Sequence, residues 1–439
     1  MSQQRKHLQS IHVAHHKNTA ECETVVIPVP DEVCIPMAMH IGAPCKPLVA
    51  KGDTVKVGQM IGDTDAFVSA PIHSSVSGTV KEIGEVRNAM GGFDQTIVIE
   101  TDKLQEAYEG IEIPKAENLK EFVAEIRKSG LVGLGGASFP THIKFNPQNI
   151  DEVDTLIVNG AECEPFITSD HRLMLEDTQD IIDGMLLVMK HLNLSHGYLG
   201  IENNKQNAID KINAMLVEQK INDKISVHSL QTTYPQGAER VMVYEITGKT
   251  MNAGVLPAAL GVVLSNITSI AFVGQYFRTG MPLVKKRMTV DGDAVAKPGN
   301  YIAPLGTRIA DLIEATGGYK EDPTKILMGG PMMGRAVFSD ELPVVKNNNA
   351  ILAFNKPQAL IAEETACINC GRCHSACPFE LLPYALAEAY ENRDAERLQF
   401  LQVDQCMNCG SCSYVCPARR PLGFTNTIAK GFVKEAMSK

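Results

Sequence analysis

The sequence predicts a multidomain α/β protein, and three observations carry this prediction. The chain has 439 residues, enough for about three domains at ~150 residues each. Strand patterns alternate with helix patterns between residues 155 and 230, an order typical of a parallel sheet covered by helices. Two cysteine-rich runs follow in the last quarter, separated by a helix-forming segment. A hydrophobic content of 44% excludes a disordered chain.

Charge and the N-terminus narrow the possible partners. The net charge of −10 argues against a protein that binds nucleic acid by neutralising phosphates, so no nucleic-acid partner is expected. Residues 1–16 are polar and rich in histidine, without the apolar segment of a secretory signal. We therefore expect an intracellular, reducing environment in which disulfides are rare.

One uncharged stretch is long enough to span a bilayer. No residue between Lys249 and Arg278 carries a formal charge. The stretch contains Pro257, Ser265 and Asn266, whose presence in hydrocarbon would demand partners from other helices. The sequence therefore favours a buried strand, loop and helix of a soluble domain.

Residues 1–110 are predicted to form a small β module. Apolar residues alternate with Gly, Pro and Ser turns between residues 35 and 100. Gly52-Asp53-Thr54-Val55 and Ser77-Gly78-Thr79-Val80 resemble the two halves of a biotinyl/lipoyl-type barrel sandwich. Because no lysine occupies an obvious modification turn, we expect a structural or partner-binding role.

A glycine-rich loop follows the first predicted helix. Asn118 is a plausible N-cap and Gly130 a plausible end for that helix. The loop that follows, residues 133–145, is not a dinucleotide fingerprint, because it follows a helix rather than a strand. Its free backbone N–H groups and the charge of Lys144 would suit an anion, although a purely structural turn explains it about as well.

The alternating elements that follow predict a ligand site at one edge of a sheet. The pattern predicts strands over residues 155–158, 197–201 and 225–230, with helices over 180–192 and 205–219. Ligands of such sheets bind beyond the carboxyl ends of the strands. Polar residues stand just past two of those ends, namely Asn159, Glu162, Glu164, Gln236, Gly237 and Glu239. Each alone is better explained as turn or cap chemistry, but together they indicate a site.

Eight of the twelve cysteines lie in two runs with the same spacing. Each run reads C-x2-C-x2-C-x3-C-P, the spacing of ferredoxins that hold two [4Fe–4S] clusters. The fourth cysteine of a run ligates the other cluster. The predicted sets are Cys367, Cys370, Cys373 and Cys416 for one cluster, and Cys406, Cys409, Cys412 and Cys377 for the other. Zinc is the alternative, but zinc sites usually take their ligands in pairs.

The segment between the runs predicts a helix-rich cluster domain. Leu382, Ala385, Leu386 and Ala389 fall at helical spacing within residues 380–400. A helix-rich [4Fe–4S] ferredoxin-like domain over residues 351–439 is therefore favoured over a compact two-hairpin ferredoxin.

The middle of the chain resembles the NADH-binding flavoprotein subunit of respiratory complex I. The resemblance rests on residues 130–145, on Asn159-Gly160-Ala161-Glu162-Cys163-Glu164-Pro165, on residues 234–239 and on Ser265-Asn266. It implies a Rossmann-like FMN/NADH domain over residues 111–283. It also implies FMN held by Gly133, Gly135, Gly136, Lys144, Asn159, Glu162, Gly237, Glu239, Ser265 and Asn266, with Phe139 and Glu164 facing NAD(H). Leu134, Ala161 and Ala238 depart from that family's pattern.

Nearly the whole chain resembles the RnfC family of Rnf electron transport complexes. The matching motifs beyond those already quoted are Ile35-Pro36-Met37, His40-Ile41-Gly42-Ala43-Pro44, Lys51-Gly52-Asp53, Ser69-Ala70-Pro71-Ile72-His73 and Gly329-Gly330-Pro331-Met332-Met333-Gly334. In both resembled families a β-grasp (SLBB-like) domain stands where residues 284–350 lie here.

The resemblance implies a function, with two alternatives. The expected function is a peripheral electron-transfer subunit at the cytoplasmic face of the cell membrane, in a complex that exchanges electrons between ferredoxin and NAD⁺ and translocates Na⁺ or H⁺. Electrons would pass between NAD(H), FMN and two [4Fe–4S] clusters, and the partners would be other subunits, including a ferredoxin-like iron–sulfur subunit. The alternatives are a soluble NADH-dependent cobalamin reductase-like protein and a non-catalytic iron–sulfur relay.

Overall fold

The computed structural model describes residues 7–437, so residues 1–6 of the stretch searched for a secretory signal lie outside it. The N-terminal region is built from short strands, as the alternating pattern predicts. They are β1 (Thr24–Val26), β2 (Glu32–Pro36), β3 (Lys46–Pro47), β4 (Thr54–Val55), β5 (Met60–Asp63), β6 (Ile72–His73), β7 (Gly78–Arg87) and β8 (Phe93–Thr101).

Strands β2 to β8 enclose one apolar core. They form sheets with the orders β2-β8-β7-β4 and β3-β5-β6. Val33 and Ile35 of β2 face Ile99 and Ile97 of β8 in antiparallel register, and all four side chains are fully buried. Ile61 of β5 joins them, so both sheets contribute to the same core. Because side chains alternate along a strand, this burial explains the period of two in the sequence.

The central region alternates helices and strands. Its elements are α1 (Leu119–Lys128), α2 (Thr141–Lys144), β9 (Thr155–Asn159), α3 (Ser169–Glu176), α4 (Thr178–His191), β10 (His196–Glu202), α5 (Gln206–Glu218), β11 (Ile225–Leu230), α6 (Glu239–Thr247), β12 (Val262–Asn266) and α7 (Ile267–Thr279), with 3₁₀ turns at Ile150–Glu152 and Pro257–Leu260.

These strands form a parallel sheet with helices on both faces, as predicted. The order is β11-β10-β9-β12, and each neighbouring pair is parallel. Leu156 and Val158 of β9 pack into the core beside α4 and α7, whereas Ile157 packs into a second core beside α6. Because both faces of the strand are covered, β9 reads as a continuous apolar run rather than an alternating one.

Two glycines bring α4 and α7 into close contact. A Cβ atom added to Gly184 would lie 1.9 Å from the Ile270 carbonyl oxygen, and one added to Gly274 would lie 2.3 Å from that of Asp180. Neither helix could approach the other this closely with a larger residue at these points. The contact fixes α7, which begins where β12 ends.

The uncharged stretch between Lys249 and Arg278 folds as the sequence favours. It contains a 3₁₀ turn, the buried strand β12 and the helix α7. Ile270 and Tyr276 of α7 are buried in the main core of the central region. Throughout residues 7–437, every helix is too short or too polar to cross a membrane.

The third region is a mixed sheet with one helix. Its elements are β13 (Lys285–Asp291), β14 (Gly299–Pro304), α8 (Ile309–Ala315), β15 (Lys325–Met328), β16 (Arg335–Val337) and β17 (Ala350–Phe354). The strand order is β1-β14-β13-β17-β15-β16. β1 adds to the edge in parallel register, with Thr24 opposite Asn300. The sheet therefore takes strands from both sides of the predicted boundaries at residues 110 and 350, and these boundaries remain predictions.

The last region is made of helices, five of them short and the last one 16 residues long. They are α9 (Lys356–Ala359), α10 (Arg372–Ser375), α11 (Pro383–Glu391), α12 (Ala395–Phe400), α13 (Ser411–Tyr414) and α14 (Leu422–Met437), with a 3₁₀ turn at Val403–Gln405. The segment predicted to be helical between the cysteine runs divides in two at Arg393, whose φ is 54°. Asp394 then caps α12 by accepting the Arg397 N–H at 2.9 Å.

Candidate flavin site and iron–sulfur centres

The carboxyl ends of β9 and β12 lie side by side. Asn159, the last residue of β9, is in register with Asn266, the last residue of β12. From β9 the chain proceeds to β10 and β11 on one side and returns to β12 on the other. This reversal of strand order is where doubly wound sheets bind their ligands. Asn266 also caps α7, because its Oδ1 accepts the Thr268 N–H at 2.9 Å.

The glycine-rich loop lies against this edge of the sheet. A Cβ atom on Gly135 would stand 2.6 Å from Nδ2 of Asn266, so this position accepts glycine alone without movement. Gly133 N–H donates to the Phe139 carbonyl at 2.9 Å and closes the loop, which leaves Gly135 and Gly136 exposed to solvent. The helix α2 that follows Pro140 has only four residues.

Two further contacts join the predicted flavin motifs, and a third places the fourth motif beside β9. Asn159 Nδ2 donates to the Gly237 carbonyl at 2.8 Å. Nζ of Lys144 lies 3.7 Å from Oε2 of Glu239, which begins α6. Ser265 is buried in β12 beside Val158. The structure therefore gathers residues from all four motifs around one edge of the sheet.

Glu162 has a different environment from the one its motif suggests. Its carboxylate accepts the backbone N–H groups of Asp170 at 2.8 Å and His171 at 3.2 Å, and the Ser169 hydroxyl at 3.2 Å. These donors belong to the first turn of α3, so the carboxylate satisfies groups that a helix leaves unpaired. Burial raises the pKa of Glu162. A direct contact with flavin stays a prediction.

Glu164 is held by the loop between β15 and β16. Its carboxylate accepts the N–H groups of Met332 at 3.0 Å and Met333 at 2.8 Å. A Cβ atom on Gly330 would lie 2.2 Å from Oε2 of Glu164, so the loop passes directly over this carboxylate. Burial raises the pKa of Glu164 to about 7, and the two N–H bonds oppose that rise.

Sequence reasoning missed Lys17, which supports the second flavin motif. Its Nζ donates to the backbone carbonyls of Glu162 at 2.7 Å, Glu164 at 2.8 Å and Ile167 at 2.6 Å. One ammonium thus satisfies three carbonyls of a single turn. Lys17 stands in a polar N-terminal stretch with no motif spacing, so no local signal distinguished it.

The cysteines line two cavities, and their grouping matches the predicted sets. We call the cavity lined by Cys377, Cys406, Cys409 and Cys412 the inner cavity. The outer cavity is lined by Cys367, Cys370, Cys373 and Cys416. The fourth cysteine of each run therefore joins the first three of the other run. Among residues 7–437, no three His, Cys, Asp or Glu side chains form a compact group suited to a single metal ion.

Both runs adopt the same backbone conformation. Asn369 and Gly371 have φ angles of 53° and 73°, and Asn408 and Gly410 have 59° and 79°. The left-handed residues wrap each loop before a short helix, α10 or α13, begins. Glycine at the second of these positions avoids the cost that a side chain would bring there.

The surroundings of the inner cysteines disfavour free thiolates and suit thiolates that are bound to iron. Burial raises the pKa of Cys377, Cys409 and Cys412, so thiolates at these positions require a compensating positive charge. The sulfur of Cys406 accepts the Asn408 N–H at 3.4 Å, a bond of the kind that stabilises cluster sulfurs. The donor set therefore fits a polynuclear iron–sulfur centre.

The inner cavity faces the flavin motifs. The Tyr234 hydroxyl, fully buried, donates to the Cys409 carbonyl at 2.6 Å. A Cβ atom on Gly410 would lie 2.9 Å from the carbonyl oxygen of Met332, in the loop that holds Glu164. Cys163 of the second motif packs into the same buried apolar cluster as Tyr234 and Cys409. Cys367 and Cys370 of the outer cavity are exposed to solvent.

Family models match four successive parts of the chain. A model described as the RnfC barrel sandwich hybrid domain matches residues 6–104, and the Nuo51 FMN-binding domain matches residues 126–275. The SLBB domain matches residues 287–336, and a 4Fe-4S dicluster domain matches residues 359–417. The chain is thus a multidomain α/β protein with barrel-sandwich, FMN-binding-type and 4Fe-4S-type domains, as the sequence predicts.

Curated relatives that are 38–42% identical to this protein over most of its length are RnfC subunits. The relative from the proton-translocating ferredoxin:NAD(+) oxidoreductase complex of Clostridium ljungdahlii is 42% identical over 84% of this chain and 81% of its own. The relative from the Na(+)-translocating complex of Acetobacterium woodii is 40% identical over 88% of this chain and 87% of its own. The relative from the ion-translocating oxidoreductase complex of Rhodobacter capsulatus is 38% identical over 98% and 83%.

Among solved structures, a chain of an NAD⁺-reducing [NiFe]-hydrogenase in the H2-reduced state has a similar fold. The TM-score is 0.51 at 18% sequence identity, covering 73% of this chain and 62% of the hydrogenase chain. At this identity the likeness concerns the fold alone.

Proposed function

Because this chain belongs to the RnfC family, we propose that it exchanges electrons between NAD(H) and the rest of an Rnf complex. The members of this family are subunits of these complexes, which are ion-translocating ferredoxin:NAD⁺ oxidoreductases. The observation that carries this proposal is the contact between the flavin motifs and the inner cavity. Tyr234 belongs to the third flavin motif, and its hydroxyl bonds the backbone of a cluster cysteine. A two-electron site and a one-electron site therefore share a buried, hydrogen-bonded boundary.

The proposed FMN site is the edge of the sheet where β9 and β12 end. Gly133, Gly135 and Gly136 would let the backbone approach the cofactor, and Lys144 would place a positive charge near its phosphate. Asn159, Gly237, Glu239, Ser265 and Asn266 would line the same edge. When bound, FMN accepts a hydride from NADH as a pair of electrons and releases the electrons singly, which [4Fe–4S] clusters can carry. Phe139 and Glu164 are the candidates for contact with the nicotinamide.

The proposed cluster ligands are the cysteines that line the two cavities. Cys377, Cys406, Cys409 and Cys412 would hold the inner cluster, and Cys367, Cys370, Cys373 and Cys416 the outer cluster. The shared wall between the inner cavity and the flavin motifs supports a path from flavin to inner cluster to outer cluster. The exposure of Cys367 and Cys370 supports exit of electrons at the outer end.

The outer end would meet a partner protein of the complex. Ile368, between the two exposed cysteines, is 66% exposed and gives this edge an apolar surface. We propose a ferredoxin-like iron–sulfur subunit as the partner here, with the chain held at the cytoplasmic face of the membrane as a peripheral subunit. The domain plan proposed with it comprises a barrel sandwich over 1–110, a Rossmann-like FMN/NADH domain over 111–283, a β-grasp domain over 284–350 and the cluster domain over 351–439.

Two other functions share this module order. A cobalamin reductase-like protein would reduce a corrinoid without membrane subunits. A non-catalytic relay would hold clusters but no flavin, and the departures at Leu134, Ala161 and Ala238 motivate it. The family relationship favours membership of an Rnf complex over both.

The test is anaerobic purification of the full chain, with assays of flavin, iron and sulfide. We expect the stoichiometry of one FMN and two [4Fe–4S] clusters, and bleaching of both chromophores by NADH. As a matched pair, Asn266→Ala should lower flavin content at unchanged iron content, whereas Asn369→Ala should leave flavin unchanged. Clusters without flavin in the wild-type chain would contradict the flavoenzyme and leave the relay.

A further inference from the structure

Arg240 joins the flavin region to the inner cavity. It is the second residue of α6, directly after Glu239, whose carboxylate lies 3.7 Å from Lys144 of the glycine-rich loop. The guanidinium of Arg240 extends toward the cluster region instead. Its Nη1 donates to the Gln405 carbonyl at 2.8 Å, and its Nη2 donates to Gln405 Oε1 at 3.0 Å.

The guanidinium also stacks on an aromatic ring of the cluster region. Its Cζ lies 3.7 Å from the centroid of the Phe379 ring, a close cation–π contact. Phe379 follows Cys377 by two residues, and Gln405 directly precedes Cys406. Arg240 therefore holds the residues next to two cysteines of the inner cavity, one from each run.

Its orientation is fixed from the flavin side as well. Arg240 Nε donates to the Met251 carbonyl at 2.7 Å, and the Ala253 N–H donates to Gln405 Oε1 at 2.9 Å. The Arg240 guanidinium and the Gln405 side-chain amide are thus both held in place, which suits the rigid donor geometry of arginine. Arg240 is half-buried and forms part of the wall of a cleft of about 540 Å³ between the two regions.

Charges surround this contact. Burial lowers the pKa of Arg240, while negative charge on Asp404, Cys377 and Cys406 opposes that fall, so these groups lie within electrostatic range. Lys430, on the cluster region itself, donates from Nζ to the Cys406 carbonyl at 2.8 Å. Arg240 is thus a positive charge that the flavin region places beside the residues of the inner cavity.

We propose that Arg240 is a positioning residue that raises the reduction potential of the inner [4Fe–4S] cluster and holds the inner cavity against α6. The proposal rests on the function proposed above. A cluster with four thiolates is anionic and becomes more so on reduction, so a fixed positive charge nearby favours the reduced form. Since Glu239 and Arg240 are consecutive, one helical turn touches both the flavin motifs and the inner cavity.

The experiment is an anaerobic redox titration of the full chain, followed by electron paramagnetic resonance, with Cys370→Ser as a background that removes the outer cluster. Arg240→Gln should shift the reduction equilibrium of the inner cluster roughly tenfold toward the oxidised form, ~59 mV for one electron. Arg240→Lys, which keeps the charge, should recover most of that shift. Asp404→Asn should shift the equilibrium in the opposite direction, by less, because Asp404 is exposed.

Arg397→Gln is the matched control. Arg397 also stacks on an aromatic ring, Phe400, at 5.1 Å, but both residues are exposed on α12. Its removal should leave the inner cluster unchanged. An Arg240→Gln chain with full iron content and the wild-type potential would overturn the inference and leave the proposed function standing. If the Arg240→Gln chain loses the cluster, an Asp404→Asn chain in which the inner cluster keeps the wild-type potential would overturn the inference. A wild-type chain without clusters would overturn both.

Discussion

The inner and outer cavities arise from the same cysteine spacing but have different surroundings. Both loops wrap through a left-handed asparagine and a left-handed glycine, and both take their fourth cysteine from the other run. Residues that line the inner cavity contact Tyr234, Met332 and Arg240 from earlier parts of the chain. The outer cavity keeps two cysteines exposed.

This difference separates what spacing determines from what packing determines. Spacing decides which cysteines meet and how the loop bends, because three thiolates separated by two residues each need one particular wrap. The burial, charge and neighbours of each cavity come from residues that are distant in sequence. Potential and accessibility depend on those neighbours, so two identical motifs would take different roles in the proposed electron path.

The largest expected effect comes from the third cysteine of each run. Cys412→Ser should remove the inner cluster and with it essentially all NADH-driven reduction of the outer one. Cys373→Ser should remove the outer cluster and leave NADH-driven reduction of the inner cluster intact. Flavin bleaching by NADH should persist in both variants. The measurement is stopped-flow absorbance with electron paramagnetic resonance of rapidly frozen samples.

Equal effects of the two serine variants would contradict the inner and outer order. Loss of flavin bleaching in either variant would mean that the regions fold interdependently. Iron and sulfide assays on each variant provide the control, because each should retain one cluster.

A second prediction concerns Lys17, which supports the second flavin motif. This motif lies at what we call the inner boundary, the surface where Tyr234 and the loop of Met332 contact residues of the inner cavity. Lys17→Met should lower the free energy of unfolding by roughly 3 kcal/mol, because three backbone carbonyls lose a charged donor. Lys249→Met is the control, since Lys249 is exposed and donates to one carbonyl, that of Leu260. Its effect should stay below about 0.5 kcal/mol. Denaturant unfolding of the cofactor-free chains checks both values.

Local patterns in the sequence predict much of this architecture. The parallel order of β9, β10 and β11 follows from alternating strand and helix patterns, and α1 begins after the predicted cap, Asn118. The predicted cysteine sets line separate cavities because the spacing itself carries the geometry. The left-handed turn at Arg393, which divides the predicted helix, carries no glycine to mark it.

Contacts between distant segments have no such local signal. Lys17 meets the carbonyl of Glu162, 145 residues away, and β1 pairs with β14 across two intervening regions. The position of Glu162 within a flavin motif indicates a cofactor ligand, yet its carboxylate caps α3. Such roles depend on which segments the completed fold brings together. No short pattern in a single sequence indicates them.

The third prediction is a pH dependence at the inner boundary. Burial raises the pKa of Glu164 from 4.5 to about 7 in the folded protein. Between these values the folded state binds more protons than the unfolded state, so stability falls as pH rises through this window. Glu164→Gln, which does not titrate, should therefore flatten the stability curve between pH 4.5 and 7 and so remove about 3 kcal/mol of pH dependence.

The measurement for Glu164 is urea unfolding of cofactor-free protein at several pH values. Glu388→Gln, on an exposed position of α11, provides the control and should follow the wild-type curve. A Glu164→Gln curve parallel to that of wild type would mean that the Met332 and Met333 N–H groups hold the carboxylate ionised throughout.

The smallest expected effect is the loss of one tyrosine hydroxyl group, and it should differ between the two cavities. Tyr234→Phe removes the donor to the Cys409 carbonyl and leaves that buried acceptor unpaired, at a cost of about 1–2 kcal/mol in the free energy of unfolding. Tyr384, which lines the outer cavity and is half-buried, offers the matched change. Tyr384→Phe should cost less than about 0.5 kcal/mol, because water can replace a partner at an exposed edge. Thermal unfolding of both variants, with and without clusters, measures the difference. If the two substitutions cost the same, the hydroxyl of Tyr234 does not hold the flavin and cluster regions together, and the inner boundary depends on apolar packing and Arg240 alone.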